Sequence, residues 1–384
     1  MSSTPSARPL LPYGRQSVDE DDVAAVAAVL RGDWLTTGPT VTAFEDALRT
    51  YTGAASATTV TSGTAALHVA YAVAGVGPGD EVVTTPLTFV ATASCAALLG
   101  ATVVFADVSD DTGCLDPELA AQATTERTRV IAPVDYAGHP ADMDALRTVA
   151  DRVGALLVED AAHSVGSTYR GRPVGTLADL TTLSFFPTKN LTTAEGGAVL
   201  ATDPALGARA ARFRTIGLVR DKAQLRYPDE GPWHQEVHSF GLNYRLPDVL
   251  CALGLSQLSR MDRFKAARTR LVRRYDEGLA DVPGVRLPGR RDDVDPTWHL
   301  YPLRVLDGRR REVFERLRAE GIGVQVNYVP VYWHPVFEDL GYRRGTCPVA
   351  EEYYRQEISL PLFADLSDSD QDRVVEAVRR IVGS

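Results

Sequence analysis

Lysine is almost absent from this chain of 384 residues. Among its 40 basic residues, 37 are arginines and three are lysines, at Lys189, Lys222 and Lys265. Arginine stays charged at any working pH, whereas a desolvated lysine can lose its proton and act as a nucleophile. Lys189 follows two phenylalanines and Pro187 and precedes a glycine pair. This apolar setting predicts that Lys189 holds a carbonyl cofactor as a Schiff base.

Cysteines and long apolar runs are also scarce, and the chain has no net positive charge. The four cysteines are scattered without a C-x-x-C pair, which argues against a zinc site or a disulfide framework and is typical of a cytoplasmic protein with reduced thiols. The net charge of −10 argues against nucleic-acid and membrane-surface partners. No run is long enough to span a bilayer. The first residues lack an apolar signal core, and we predict a flexible lead-in over residues 1–16.

Strand-like and helical segments alternate through the first 250 residues. The strands, such as residues 129–134 and 155–160, are continuously apolar, which predicts an α/β fold with a parallel sheet covered by helices on both faces. A long helix is expected over residues 248–279. Strands at residues 301–305 and 324–328, each next to a helix, indicate a smaller α+β domain. We therefore predict a large domain over residues 17–250, and the linking helix with the small domain over residues 251–384.

Polar residues occur where predicted strands end, which is where ligands bind in such sheets. Ser62, Gly63 and Thr64 form a strand-to-helix turn whose free N–H groups make an anion cup. Asp160 ends another strand, and His163 follows it. Taken singly, a helix cap explains Ser62 and an ordinary turn explains Asp160 and His163.

The combination with Lys189 changes this interpretation. Pyridoxal phosphate requires a lysine that forms an imine and a carboxylate that keeps the pyridine nitrogen protonated. Lys189 and Asp160 are the candidates for these two roles. The cofactor's phosphate needs a cup rich in hydrogen-bond donors, which Ser62 and its neighbours offer and Ser184 extends.

Six short motifs, in this order and spacing, resemble the DegT/DnrJ/EryC1/StrS family of pyridoxal-phosphate-dependent nucleotide-sugar aminotransferases. The resemblance runs nearly from end to end. The motifs are Thr61-Ser62-Gly63-Thr64-Ala65-Ala66-Leu67, Pro86-Leu87-Thr88-Phe89-Val90-Ala91-Thr92, Val158-Glu159-Asp160-Ala161-Ala162-His163, Ser184-Phe185-Phe186-Pro187-Thr188-Lys189-Asn190, Glu195-Gly196-Gly197 and Gly241-Leu242-Asn243-Tyr244-Arg245.

The resemblance implies a fold-type-I aminotransferase with a large, mostly parallel sheet of the seven-stranded type and active sites shared across a homodimer interface. It implies that Lys189 is the Schiff-base lysine and that Asp160 pairs with the pyridine nitrogen. Phe89 is expected to stack on the ring, with His163 near the phenolic oxygen. The expected phosphate ligands are Ser62, Gly63, Thr64, Ser184 and, from the neighbouring subunit, Asn243.

The nearest subgroup resemblance is to enzymes that aminate C4 of a UDP- or dTDP-linked 4-keto-6-deoxy sugar, the pseudaminic-acid-pathway enzyme among them. It implies glutamate as donor and a ping-pong reaction through pyridoxamine phosphate. Residues 191–197 favour C4. This subgroup tends to carry histidine where Phe186 and Asp135 stand here, and Phe186 is closer to the aromatic residue of some 3-aminating relatives.

Several alternatives stay open at this point. A 3-ketosugar aminotransferase and a relative that makes an aminobenzoate share the chemistry. A non-catalytic regulator and a dehydratase variant do not, and the presence of Lys189 argues against both, since the dehydratases carry histidine there. Four residues are candidate sugar or nucleotide neighbours and equally ordinary loop or interface residues: Arg245, Tyr328, Trp333 and His334.

Overall fold

A computed structural model describes residues 10–383. Its helices are α1 Glu20–Leu30, α2 Pro39–Thr52, α3 Gly63–Val73, α4 Ala91–Leu98, α5 Pro117–Ala123, α6 Met143–Val153, α7 Pro204–Phe213, α8 Asp248–Leu258, α9 Met261–Leu279, α10 Arg310–Ala319, α11 Pro335–Asp339, α12 Pro348–Gln356 and α13 Asp368–Val382. Its strands are β1 Ser56–Val60, β2 Glu81–Thr84, β3 Thr102–Phe105, β4 Thr128–Ala132, β5 Leu156–Asp160, β6 Thr168–Tyr169, β7 Arg172–Pro173, β8 Leu180–Ser184, β9 Gly197–Ala201, β10 Leu218–Val219, β11 Glu236–Val237, β12 Val285–Arg286, β13 Val294–Asp295, β14 Tyr301–Val305 and β15 Glu357–Leu360.

The large sheet has seven strands in the order β1-β9-β8-β5-β4-β2-β3. Only β9 runs against its neighbours, and the other adjacent pairs are parallel. Strands β2 and β9 are buried along their whole length, because helices such as α3, α4 and α6 pack on the sheet. The predicted fold class, a mostly parallel sheet within a fold-type-I architecture, is confirmed.

One edge of this sheet gathers the ends of several strands. Because β1 and β8 are both antiparallel to β9, they run in the same direction, and β5 is parallel to β8. The strand ends Val60, Asp160 and Ser184 therefore lie along one edge, with Val60 and Ser184 paired to the same glycine, Gly197. This edge is where the sequence predicts ligands to bind.

The C-terminal part contains a three-stranded antiparallel sheet in the order β12-β14-β15, with α10 and α13 packed on each other beside it. Residues 324–328, predicted as a strand, are irregular. Only Gln325 pairs there, through an isolated bridge to Ser359. The prediction failed because the Asn327 N–H donates to the Glu357 side chain rather than to a neighbouring strand. Strand β15 takes the place beside β14.

The long helix expected over residues 248–279 is two helices, α8 and α9. The break falls at Arg260, whose backbone leaves the helical region with φ −109° and ψ 9°. The Arg260 guanidinium forms ion pairs with Asp19 and Asp22 of the α1 region. Those partners are distant in sequence, so local periodicity gives no sign of the break.

The N-terminal segment is held against the C-terminal part. Leu11 N donates to Gly321 O at 2.9 Å, and Gly323 N donates to Leu11 O at 2.7 Å. A Cβ at Gly323 would meet Leu11 O at 2.5 Å, so this close approach requires glycine. Tyr13 O accepts from Leu362 N at 2.9 Å. The predicted flexible lead-in is thus anchored from Leu11 onward, and its first nine residues lie outside the described range. The domain boundaries stay predictions.

Candidate active site

A cavity of about 520 Å³ opens at the carboxyl edge of the large sheet. Eight of the nine predicted site residues line it: Ser62, Gly63, Thr64, Phe89, Asp160, His163, Ser184 and Lys189. The ninth, Asn243, is an exposed residue outside this lining. Asn243 is thus not part of its own chain's cavity, and its place at the neighbouring subunit's phosphate site stays a prediction.

Lys189 enters the cavity from the turn after β8. Its backbone N–H donates to Phe186 O at 2.9 Å, which closes the turn. The next residue, Asn190, is buried and donates its side-chain N–H to His163 O at 3.0 Å. Burial lowers the pKa of Lys189 to about 8, and the nearby Asp160 carboxylate opposes this shift. At that pKa about a tenth of the amine is neutral, and able to act as a nucleophile, at pH 7.

Asp160 is buried at the end of β5 with both carboxylate oxygens bonded. Thr92 Oγ1 donates to Oδ2 at 2.6 Å, and Ala162 N donates to Oδ1 at 3.2 Å. Burial raises the pKa of Asp160, while these two hydrogen bonds and the charge of Lys189 lower it. Two donors from different elements fix the direction of the carboxylate, so it presents a defined acceptor to a cationic ring.

His163 lies between two other rings. Its Nε2 is 3.0 Å from the Tyr328 hydroxyl, and its ring centroid is 4.3 Å from that of His299. Burial and the charge of Lys189 hold the pKa of His163 well below its usual value, so the imidazole is neutral. Its Nδ1 is buried and has no hydrogen-bond partner among the described residues. The ring therefore meets the cavity as a neutral imidazole that is held in place by Tyr328.

The start of α3 forms the anion cup. Ser62 caps the helix, and its Oγ accepts from Ala65 N at 3.0 Å. The N–H groups of Gly63 and Thr64 stand in the first turn, where an α-helix supplies no acceptor. A Cβ at Gly63 would lie 2.8 Å from the Ser184 Cβ, so glycine is needed for the serine to approach. The cup therefore combines helix N–H groups with the Ser184 hydroxyl.

This set of groups fits pyridoxal phosphate. The cavity joins a cup for a dianion, a buried carboxylate, a neutral imidazole and a lysine of lowered pKa. Metal chemistry has no comparable support, because no group of three or more His, Cys, Asp or Glu side chains within residues 10–383 is arranged to hold a metal ion. The four cysteines are buried and unpaired.

The cavity residues that sequence reasoning missed include Thr92, Tyr13 and Glu195. Thr92 is the last residue of the motif that contains Phe89. Its position three residues after Phe89, near the start of a helix, was a signal that could have identified it as a site residue. Tyr13 was assigned to the lead-in, and Glu195 was only part of a motif, yet both line the cavity. Of the four candidate sugar or nucleotide neighbours, Tyr328 lines the cavity. The other three do not: Arg245, Trp333 and His334.

Phe186 and Asp135, which stand where the 4-aminating subgroup tends to carry histidine, have different surroundings. Phe186 lines the cavity and leaves 46% of its side chain exposed. Asp135 is fully buried and does not line the cavity. Of the two, Phe186 is therefore the one positioned to contact a substrate. No helix between residues 10 and 383 has the length and apolar character needed to cross a bilayer.

Comparison with known proteins adds independent information. The model of the DegT/DnrJ/EryC1/StrS aminotransferase family matches residues 16–379. The spore coat polysaccharide biosynthesis protein SpsC of Bacillus subtilis is 40% identical over 380 residues, covering 97% of each chain.

Solved structures agree along nearly the whole chain. Spr1654 from Streptococcus pneumoniae, in its PMP form, superimposes with a TM-score of 0.92 at 31% identity, covering 97% of this chain and 99% of that one. Helicobacter pylori PseC, an aminotransferase involved in the biosynthesis of pseudoaminic acid, superimposes with a TM-score of 0.90 at 30% identity over the same shares. The resemblance inferred from six motifs is confirmed, and the chain belongs to the DegT/DnrJ/EryC1/StrS aminotransferase family.

Proposed function

We propose that this aminotransferase moves an amino group from glutamate to C4 of a dTDP- or UDP-linked 4-keto-6-deoxy sugar. The observation that carries the proposal is the convergence of Lys189, Asp160 and the α3 phosphate cup on one cavity, in a chain of this family. The net charge of −10 and the absence of a spanning helix in residues 10–383 accord with a reaction on dissolved substrates in the cytoplasm.

The cofactor of the family is pyridoxal phosphate, and Spr1654 has been solved in both PLP and PMP forms. When bound, it supplies the carbonyl that takes up the amine and a ring that withdraws electrons from the reacting carbon. Ser62, Gly63, Thr64 and Ser184 would hold its phosphate. Phe89, which leaves 57% of its side chain exposed at the cavity, offers a ring face for stacking.

Lys189 has two tasks in this scheme. Its Nζ would hold the cofactor's carbonyl carbon, and as a neutral amine it would take the proton from the donor Cα. The lowered pKa of Lys189, about 8, suits both tasks because the neutral amine is the nucleophile and the base. In the second half-reaction the same Nζ returns a proton to the sugar carbon that receives nitrogen.

Asp160 and His163 hold protons rather than move them. The Asp160 carboxylate, fixed by Thr92 and Ala162, would keep a proton on the pyridine nitrogen. The neutral His163, whose Nε2 contacts the Tyr328 hydroxyl, would lie beside the ring. The ring position between His299 and Tyr328 orients this imidazole.

The choice of C4 is supported by residues 191–197 and by the likeness to PseC over 97% of this chain. Phe186 on the cavity wall is the observation that favours a second candidate, amination at C3. The deciding experiment supplies glutamate with dTDP- and UDP-linked 4-keto and 3-keto sugars and locates the new amine by NMR. Amine at C4 supports the proposal and amine at C3 supports the alternative. The absence of an aminated product from all four sugars would contradict both candidates. Lys189→Ala protein serves as the blank.

We also infer a homodimer in which Asn243 completes the phosphate site of the partner. Asn243 is exposed, and the nearby Phe240 leaves 98% of its side chain uncovered in the single chain. Mixed dimers of Lys189→Ala and Asn243→Ala subunits test this arrangement. If the site is shared, each mixed dimer has one site with both residues intact, so mixing restores activity. Activity no higher than the sum of the two variants would contradict it.

A further inference from the structure

Residues 325–328 line the cavity although they form no regular strand. Asn327 is buried among them, and its polar groups are held from two sides. Its backbone N–H donates to Glu357 Oε2 at 2.7 Å, and its Nδ2 donates to Ser359 Oγ at 2.9 Å. Its carbonyl oxygen accepts from the Tyr136 hydroxyl at 2.5 Å. The N–H and the carbonyl of Asn327 are therefore both fixed by residues that are distant in sequence.

Two of these partners, Glu357 and Ser359, belong to strand β15 and are fully buried. Ser359 Oγ, which accepts from Asn327 Nδ2, donates in turn to Glu357 Oε1 at 2.5 Å. The Ser359 backbone N–H also donates to Gln325 O at 2.8 Å. One strand of the small sheet thus supplies a carboxylate, a hydroxyl and a backbone N–H to residues 325–328.

The third partner, Tyr136, lies in the turn of residues 136–138 that follows β4 of the large sheet. It is fully buried, and burial raises the pKa of its hydroxyl well above the usual value, so the hydroxyl keeps the proton that it donates. The Tyr353 ring meets the Tyr136 ring edge-on, with centroids 5.5 Å apart. Packing of this kind fixes the direction of the hydroxyl.

Asp135 holds the turn that carries Tyr136. Its carboxylate accepts from Ala141 N at 3.3 Å and from Ser164 Oγ at 2.5 Å. Its backbone N–H donates to Asp160 O at 3.1 Å. The turn is therefore bonded to the strand end that carries Asp160, and through Tyr136 this strand end is connected to Asn327.

The neighbours of Asn327 face the cavity. Tyr328 lies with its hydroxyl 3.0 Å from His163 Nε2 and with its ring 6.2 Å from that of Phe89. Residues 325 and 326, on the other side of Asn327, also line the cavity. Because consecutive Cα atoms are held at a fixed distance, a displacement of Asn327 moves the residues on both sides of it.

We propose that Tyr136, Glu357 and Ser359 are positioning residues that fix Asn327 and thereby hold residues 325–328 in place to receive the keto sugar. The substrate part of this proposal rests on the function proposed above. The fixing of Asn327 does not, and the two parts are measured separately.

Amide hydrogen exchange measures the fixing of Asn327 without any substrate. In the cofactor-loaded protein, peptides that contain residues 325–328 should exchange about 2- to 10-fold faster in Tyr136→Phe and in Ser359→Ala than in the wild type, because each variant removes one hydrogen bond from Asn327. The control is Tyr342→Phe, which also loses a hydroxyl bond to a backbone carbonyl, Val103 O at 2.6 Å, outside the cavity. Unchanged exchange in both test variants, or an equal increase in the control, would overturn the proposal.

The two half-reactions test the substrate part. With the keto sugar that the wild type aminates, we expect the KM for the sugar to rise about 2- to 10-fold in Tyr136→Phe and in Ser359→Ala. The half-reaction with glutamate alone should keep its rate, because it depends on Lys189 and Asp160 of the large sheet. A merely structural effect would reduce the amount of active enzyme, which lowers both rates equally and leaves KM unchanged. That result would overturn the positioning role.

The exchange data also separate this proposal from the proposed function. A wild type that aminates none of the keto sugars would overturn the proposed function and the substrate part together. Faster exchange of residues 325–328 in the two test variants would still support the fixing of Asn327 by Tyr136 and Ser359.

Discussion

The floor and the wall of the cavity are built in different ways. The floor consists of strand ends and the turn after β8. Its key groups are Asp160, which accepts from Thr92 and Ala162, and Lys189, whose backbone N–H donates to Phe186 O. The wall consists of Tyr13 and residues 325–328, which come from opposite ends of the chain. Asn327 holds the second wall segment through Glu357, with its N–H 2.7 Å from Oε2.

Because of this difference, we assign the chemistry to the floor and the fit of the substrate to the wall. The floor inherits its geometry from a parallel sheet, so the reacting groups are rigid and their pKa values are set by burial. The wall contacts the floor through the Tyr328 hydroxyl, which lies 3.0 Å from His163 Nε2. Glu357 holds the wall segment, and burial raises the pKa of the Glu357 carboxyl group to about 8. We therefore expect floor substitutions to abolish the reaction and wall substitutions to tune it.

The largest effect should come from Lys189→Ala. Removing the covalent anchor and the acid–base group together should lower kcat by about 10⁴-fold or more, since general acid–base catalysis alone contributes up to about that factor. Steady-state turnover of glutamate and keto sugar is the measurement. Lys265→Ala is the matched control, because Lys265 pairs with Asp295 outside the cavity, and it should leave turnover unchanged. Equal losses in the two variants would show that Lys189 has no specific part in the reaction.

Asp160→Asn should have the next largest effect. The amide keeps the acceptor for Thr92 but loses the charge that stabilises a protonated pyridine nitrogen. We expect kcat to fall by about 10²–10³-fold, as for the loss of one preorganised electrostatic group. Stopped-flow measurement of the half-reaction with glutamate alone isolates this step. A loss below about tenfold would mean that Asp160 does not face the ring nitrogen.

The pH dependence of Lys189 provides a third comparison. Because burial lowers the pKa of Lys189 to about 8, the rate at which cofactor-free protein captures pyridoxal phosphate should rise with pH and level off above about pH 8. Below that pH, only the neutral amine fraction reacts, so the rate should fall about tenfold per pH unit. In Asp160→Asn the midpoint should move lower, since Asp160 raises this pKa. A midpoint near the ordinary lysine value of 10.5 would contradict a desolvated amine.

Tyr328→Phe should have the smallest effect. It removes the hydroxyl that contacts His163 Nε2 but keeps the ring, which lies 6.2 Å from that of Phe89. The loss of one hydrogen bond, about 0.5–1.5 kcal/mol, predicts a change in kcat/KM of about 2- to 10-fold. Tyr342→Phe, which loses a hydroxyl bond to Val103 O away from the cavity, is the control for general destabilisation. A loss in Tyr328→Phe as large as that in Asp160→Asn would place the wall within the chemistry.

The floor was largely predictable from the sequence and the wall was not. Asp160 and Ser184 end apolar strands, and parallel strands bring their carboxyl ends to one edge whatever the loops do. Tyr13, by contrast, stood in a segment without periodicity, and residues 325–328 carried a misleading strand pattern. Their placement depends on contacts with Gly321, Glu357 and Ser359, which no local pattern encodes.

The chain's three lysines permit a direct test of the central assignment. The purified protein is saturated with pyridoxal phosphate, reduced with borohydride, digested, and its lysine-containing peptides are analysed by mass spectrometry. We expect a phosphopyridoxyl group on Lys189 and none on Lys222 or Lys265. A label on either of those two lysines, or no label on Lys189 in protein that retains the cofactor, would contradict it.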